Sequence, residues 1–379
     1  MINIEQKTDC CGCTACMNVC ANDAITMQSD ELGFKYPIVD SLKCINCGLC
    51  NKVCQFHENY DRYDNYECPI VYSARLKNEV ALSKSQSGGA FYAIAEFVLL
   101  TGGIIFGAAF TEHWKVCHIK AYDSQSLESL RMSKYVQSDM GTTFKAVKKE
   151  LLLGHTVLFS GTACQIAGIK SFIPNRLHKN LICVDIICHG VPSPMIWSDY
   201  INYLEHKYNS VIVKACFRDK RFGWHGAQES FVFADGRELF ARTNNRLYFS
   251  GLSVRECCNV CHFTNTKRVG DITIGDYWGV SKDSPYEKDA KGLSLVLLNS
   301  EKGEKLFWNV AEMLHIEKVE NDQYLQPQLL YPTKMNPKHK DFVYDYKKYG
   351  FLKVAKKYGD LGWKYKLKSL KKYCRFFFK

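Results

Sequence analysis

Two cysteine runs near the amino terminus, Cys10, Cys13, Cys16, Cys20 and Cys44, Cys47, Cys50, Cys54, share the spacing C-x2-C-x2-C-x3-C. Four thiolates at this spacing wrap a cubane iron–sulfur cluster, and the last cysteine of each run crosses to the other cube. A pair of zinc sites is the alternative, but zinc needs only two C-x2-C pairs and leaves the rest of each run unexplained. Each run is followed by a short apolar segment such as Ala24-Ile25-Thr26-Met27, so the two halves form an internal repeat. Residues 1–60 are therefore expected to form a small α+β module holding two [4Fe-4S] clusters.

Nineteen cysteines in 379 residues would suggest disulfides in a short secreted chain. This chain is long and opens MINIEQKTDC, without a basic and then apolar leader, which favours a reduced, cytoplasmic, metal-binding protein. The stretch 90–110 contains Glu96 and is interrupted by Thr101-Gly102-Gly103, so it reads as helix, turn and strand rather than a membrane span. The net charge of +11 is uneven: residues 334–379 hold 15 Lys or Arg against three Asp, a local +12, and the remainder is near neutral at −1. A nucleic-acid-binding body would spread its basic residues over the folded domains, so none is expected. In the tail, 331–379, Trp363, Leu367, Leu370, Cys374 and Phe377 recur at helical steps with lysines between. Such a helix fits an anionic membrane surface, an acidic partner, or packing on its own domain with a solvated lysine face.

After a tyrosine-rich linker near 57–68 the pattern becomes α/β. Strands are expected at 104–110, 155–160, 181–188 and 293–298, and helices at 90–100, 143–152, 162–172, 195–208 and 302–314. This alternation implies a mixed or parallel sheet whose ligand sits at strand carboxyl ends. Phe231-Val232-Phe233 before Asp235-Gly236 reads as a hairpin in an irregular subdomain.

Ordered motifs follow one another through this body: SQSGGAFYAI (85–94), SKYVQSD (133–139), GTACQIAG (161–168), DIICHGVPSP (185–194), FRDKRFGWH (217–225), and CCNVCHF with DITIGDYWG (257–279). On these the chain resembles the beta subunit of coenzyme F420 hydrogenase and dehydrogenase, a family that includes 7-hydroxymethyl chlorophyll a reductase. The amino-terminal module resembles bacterial two-cluster ferredoxins. The fold class is thus an α+β ferredoxin-like domain, an α/β flavin-binding body divided at 70–175 and 176–330, and a helical basic tail. Ala163 stands where the family often has proline, and Ala21 and Gln55 stand where ferredoxins usually have proline after each final cysteine.

The resemblance implies FAD beside a third [4Fe-4S] cluster, with ligands Cys164, Cys188, Cys258 and Cys261; Cys257 is the alternative to Cys258. Ser87-Gly88-Gly89 and Gly161-Thr162 precede helices and are candidate pyrophosphate contacts. Lys134 would balance phosphate charge, Gln137 would reach the flavin ring, and Gln165 lies in the same motif. His189 is the candidate proton donor near the flavin, and a role as base to a Cys164 nucleophile finds no third orienting residue. Cys11, Cys68, Cys117, Cys183, Cys216 and Cys374 read as ordinary thiols.

The expected function is an iron–sulfur flavoprotein oxidoreductase that takes electrons from ferredoxin or another redox protein and reduces a small organic substrate, a sugar among the options. The opposite direction, oxidation of a reduced deazaflavin or nicotinamide with electron export, is what the family name implies. A non-catalytic electron-transfer subunit of a larger complex is the alternative from another class.

Overall fold

The computed structural model describes residues 1–57, 65–320, 322–363 and 365. In the amino-terminal module, β1 (Ile25–Ser29) and β2 (Lys35–Val39) pair antiparallel, in register from Ile25 opposite Val39 to Ser29 opposite Lys35. The two cysteine runs lie on either side of this ribbon, each leading into a short helix, Ala15–Val19 or Leu49–Lys52. Part of the expected linker, 58–64, lies outside the described residues.

The body contributes β3 (Ile70–Leu76), β4 (Ile104–Phe110), β5 (Val116–Ala121), β6 (Val157–Thr162), β7 (Leu181–Ile186), β8 (Ile212–Cys216), β9 (Glu229–Phe233), β10 (Glu238–Ala241), β11 (Ile272–Asp276), β12 (Ser294–Leu298) and β13 (Leu314–Lys318). Eight of these form one mixed sheet in the order β13-β3-β12-β11-β7-β6-β4-β5. Its centre, β11-β7-β6-β4, is parallel, and the flanking pairs are antiparallel. Strands β8, β9 and β10 form the separate antiparallel subdomain, with β9 and β10 joined by the expected hairpin at Asp235-Gly236.

Central strands covered on both faces are apolar at successive positions, because alternate side chains serve opposite cores. Ile105, Leu158 and Ile182 meet the helices Ala90–Leu100 and Glu301–Asn309 on one face. On the other, Phe106, Phe159 and Leu181 meet Thr143–Leu152 and Ala163–Phe172, where Cys183 is a packed core thiol. Each fully buried large side chain of this kind contributes about 1.5–3 kcal/mol.

The tail begins with helix His339–Lys357, interrupted at Gly350 (φ 73°). It packs on the body's own helix Pro194–Tyr208: Phe342, Tyr346, Phe351 and Val354 join Tyr200, Ile201 and Leu204, and Tyr346 Oη donates to Asp199 at 2.7 Å. Of the expected amphipathic stripe, only Trp363 lies within the described residues. No helix among the described residues is long and apolar enough to cross a membrane.

The turn before helix Ala90–Leu100 is pressed into the sheet. A Cβ on Gly88 would stand 2.2 Å from the Ala74 carbonyl oxygen and 2.6 Å from the Ser294 nitrogen, so this position excludes any side chain. Gly88→Ala should destabilise the fold by about 1–3 kcal/mol, read as a lowered melting temperature by circular dichroism. An unchanged melt would contradict the close approach.

Candidate redox centres

Burial and neighbouring thiols act together on the amino-terminal cysteines. Cys10 is pushed up to about 11 by burial, and Cys54 to about 12 by burial with Cys13 and Cys10 beside it. Burial, then Cys13, Cys10 and Cys54, drive Cys16 well above the usual thiol range. Cys10, Cys13, Cys16 and Cys54 thus share one site, three from the first run and the last of the second. Cys20, Cys44, Cys47 and Cys50 are left for the other; Cys47 is exposed, while Cys20 and Cys50 pack with Ile2 and Ile25. Backbone N–H groups already point at the sulfurs: Gly12 donates to Cys10 Sγ (3.4 Å), Ala24 to Cys20 Sγ (3.3 Å) and Ile2 to Cys50 Sγ (3.2 Å).

In the body, Cys164 follows β6 and Cys188 follows β7, each two residues past the register pair Thr162–Ile186. Adjacent parallel strands therefore deliver both thiols to the same sheet edge. Cys188 is pushed up to about 12 by burial, then by Cys164 and Cys261, and its sulfur accepts the Gly190 N–H at 3.3 Å. A Cβ on Gly190 would lie 3.5 Å from Cys258 Sγ, which places Cys258 against the Cys188 loop. Cys257 is buried and turned toward Cys10 and Arg255 as well as Cys164. The segment carrying Cys258 and Cys261 is tied back to β7 by a buried ion pair, Arg268 Nη2 to Asp185 Oδ1 at 2.7 Å, with Gly270 N–H on Asp185 Oδ2 at 2.8 Å.

Among the described residues no thiols or carboxylates converge tightly enough to hold a single metal ion. A cubane spreads its four thiolates around a cationic iron–sulfur core, and both sulfur groups fit that demand, since crowded buried thiolates need a cation between them.

One thiol joins the two sulfur sites. Cys11, read from sequence as an ordinary packed thiol, is buried and hydrogen-bonds toward both Cys13 and Cys164, which drives it up and lowers both neighbours, Cys164 to about 7. Gln55 stands where ferredoxins have proline, and its Nε2 donates to Cys11 Sγ (2.9 Å) and the Cys164 carbonyl (2.7 Å). Sequence reasoning noted that departure but not its use.

The expected flavin residues do not gather in one place. Gly88 N–H donates to Ser294 Oγ (2.9 Å) and Gly89 N–H to the Gln86 carbonyl (3.2 Å), so the Ser87-Gly88-Gly89 turn spends these donors on its own fold. Ser87 Oγ donates to the Leu293 carbonyl at 2.8 Å. Gln137 is also redirected: its Nε2 donates to the Cys11 carbonyl (2.8 Å) and its Oε1 accepts from Arg255 (3.0 Å), so both ends of its amide are engaged at the domain junction rather than on a flavin ring. Gln165 Oε1 accepts the Thr162 N–H (2.9 Å) in a capping box, the Gly161 backbone leads into it, and Thr162 Oγ1 lies 3.1 Å from Cys164 Sγ. These three shape the cysteine site.

Lys134 alone of the set lines a cavity of about 1190 Å³, with Arg131, Lys214, Lys220 and Arg221 among its neighbours. Burial pulls Lys134 down to about 7 and Lys220 to about 8. Lys220 Nζ donates to the Leu82 and Ser87 carbonyls, both at 3.0 Å, and Arg131 Nη2 to Ser85 Oγ at 2.8 Å, so the SQSGG turn borders this cationic cavity through its backbone. Arg131 Nε and both amide atoms of Gln86 are buried without protein partners. A cavity of this size with convergent cations and orphaned donors fits a large anionic cofactor. FRDKRFGWH carried Lys220 in plain view; what sequence lacked was its proximity to residues 82–87.

His189 Nδ1 pairs with Gln328 Nε2 at 3.0 Å, its ring meets Tyr248 and Phe249, and its Nε2 is buried without a partner. His225 instead forms an exposed pair with Glu287 at 2.9 Å. Asp276 accepts from Arg218 at 2.5 Å, and Trp278 stacks on Trp224 with centroids 5.0 Å apart.

Residues 154–323 match the family model for the carboxyl-terminal region of the coenzyme F420 hydrogenase/dehydrogenase beta subunit, and residues 9–57 match the 4Fe-4S dicluster domain. A chain from the xenon-derivatised F420-reducing [NiFe] hydrogenase complex of Methanosarcina barkeri aligns at 16% identity and a TM-score of 0.49, covering 78% of this chain and 90% of that one. No curated protein matches at a significant level.

Cys188→Ser should lower anaerobically determined iron from about twelve to about eight per chain, four for each cube, while Cys257→Ser should keep the full content. Equal loss in both variants would contradict the assignment of Cys258 over Cys257.

Proposed function

Because this chain belongs through residues 154–323 to the coenzyme F420 hydrogenase/dehydrogenase beta-subunit family and carries an amino-terminal 4Fe-4S dicluster domain, we propose that it is an iron–sulfur flavoprotein oxidoreductase. The dicluster domain takes electrons from ferredoxin or a similar redox protein and passes them through a third [4Fe-4S] site at Cys164, Cys188, Cys258 and Cys261 toward an FAD-dependent reduction of a small organic substrate. The observation that carries this reading is the contact of both sulfur sites with Cys11, because it gives the amino-terminal cubes a protein path into the body.

FAD, when bound, supplies the exchange between paired and single electrons that cubes alone do not perform. Arg131, Lys134 and Lys220 hold positive charge along the cavity and would bind its phosphates. Arg218 is fixed by Asp276 and lies over the Trp278 ring at 5.6 Å, so it gives the neighbouring wall a rigid cationic edge. Cys188 and Cys258 bind at the mouth of the parallel strands, and the buried Asp185–Arg268 pair holds their two loops together.

Reduction of the purified protein with dithionite under anaerobic conditions, followed by addition of candidate organic acceptors, tests the reading. Reoxidation without a partner protein, in a sample containing FAD, supports it. Absence of flavin from a fully iron-loaded sample would reduce the chain to an electron-transfer subunit.

Flavin binding carries a pH signature. Lys134 and Lys220 are cationic below about 7 and about 8, and an anionic ligand raises both values further. Binding is therefore coupled to proton uptake and should weaken as pH rises from about 6 to about 9. Fluorescence titration of flavin-depleted protein reads this directly, and a pH-independent affinity would contradict the assigned cavity.

A further inference from the structure

Five arginines are buried among the described residues: Arg75, Arg131, Arg218, Arg255 and Arg268. Four have a carboxylate, namely Asp289, Glu128, Asp276 and Asp185. Arg255, the most buried at 0% exposure, has none. Its Nε donates to the Cys10 carbonyl (2.8 Å), Nη2 to the Lys35 carbonyl (2.9 Å) and Nη1 to Gln137 Oε1 (3.0 Å), and the Tyr36 ring lies 4.2 Å from its Cζ. Every one of these partners is neutral.

A guanidinium taken out of water without a counter-ion is costly, so the folded protein should supply negative charge nearby. Sulfur is what surrounds it. Cys10 and Cys13 on the amino-terminal side, and Cys257 and Cys164 on the body side, all feel the Arg255 charge. Gly12 makes the approach possible, because a Cβ there would stand 3.0 Å from Arg255 Nη1 and 3.1 Å from Gln137 Nε2. A [4Fe-4S] core held by four thiolates is a net anion and gains one more negative charge on reduction; its potential responds to net charge and hydrogen bonding around it.

We propose that Arg255 is the shared counter-charge of two cubes, the one at Cys10, Cys13, Cys16 and Cys54 and the one at Cys164, Cys188, Cys258 and Cys261. It stabilises the reduced form of each and holds up both potentials at the step where an electron crosses between domains. It is a positioning residue, acting through the cluster ligands. On the body side the inference rests on the third cluster proposed above; on the amino-terminal side it stands on the dicluster domain alone.

The test is an EPR-monitored redox titration of the anaerobically purified full chain. Arg255→Met removes the charge, Gln137→Glu places a carboxylate beside the intact guanidinium, and Arg255→Lys keeps the charge without the fork. Both charge-changing variants should shift the two flanking cubes to lower potential relative to the cube at Cys20, Cys44, Cys47 and Cys50. Arg255→Lys should stay near the parent. If Arg255→Met does not retain iron, Gln137→Glu decides alone. Unchanged potentials in an iron-replete Gln137→Glu protein would overturn the proposal and leave Arg255 a fastener, visible only as a lowered melting temperature. An iron content of about eight in the parent would overturn the shared bridge, while the shift of the Cys10-side cube would still report on Arg255 independently of that failure.

Discussion

Thiols crowded inside a protein resist ionisation, because burial and each neighbouring thiolate add to the cost of the next charge. Cys10, Cys16, Cys54 and Cys188 all show this resistance. A cationic iron–sulfur core reverses the balance, and so metal loading and the final folding of these loops are coupled. Much of the architecture serves that requirement. The parallel strands β6 and β7 end in register so that Cys164 and Cys188 emerge together, and the Asp185–Arg268 pair brings the Cys258–Cys261 segment to the same edge.

The junction between the amino-terminal module and the body is polar where an ordinary domain interface would be apolar. Gln55, Gln137 and Arg255 cross it with hydrogen bonds to backbone carbonyls and to Cys11 Sγ. These contacts fix the spacing of two redox sites, a task for which directional bonds are better suited than apolar packing. Fusion in one chain also removes the diffusional search that separate carriers would need, since docking becomes intramolecular.

Local pattern made a good part of this legible in sequence. Helices 90–100 and 143–152 and strand 104–110 agree with expectation to the residue, because their apolar periodicity is set by cores on known faces. The eight ferredoxin-type cysteines were readable because a cubane imposes short spacings. What could not be read depends on contacts between distant residues. Gln137 and Arg255 meet across 118 positions, and Arg255 meets Cys10 across 245. The Ser87-Gly88-Gly89 turn resembled a phosphate loop because glycine before a helix has two causes, an anion or a close neighbour, and here the neighbour is the Ala74 carbonyl. Gln55 was visible only as a missing proline; its role appears once Cys164 is seen beside it.

The central claim is that the amino-terminal cubes and a body cube form one continuous path through the Cys11 junction. EPR of the fully reduced protein tests it most directly, since paramagnetic cubes at close range broaden and split one another's signals. The account predicts a spin-coupled spectrum that collapses in Cys188→Ser to the simpler signature of an isolated two-cluster ferredoxin domain. Identical spectra from the parent and an iron-replete Cys188→Ser protein would contradict it.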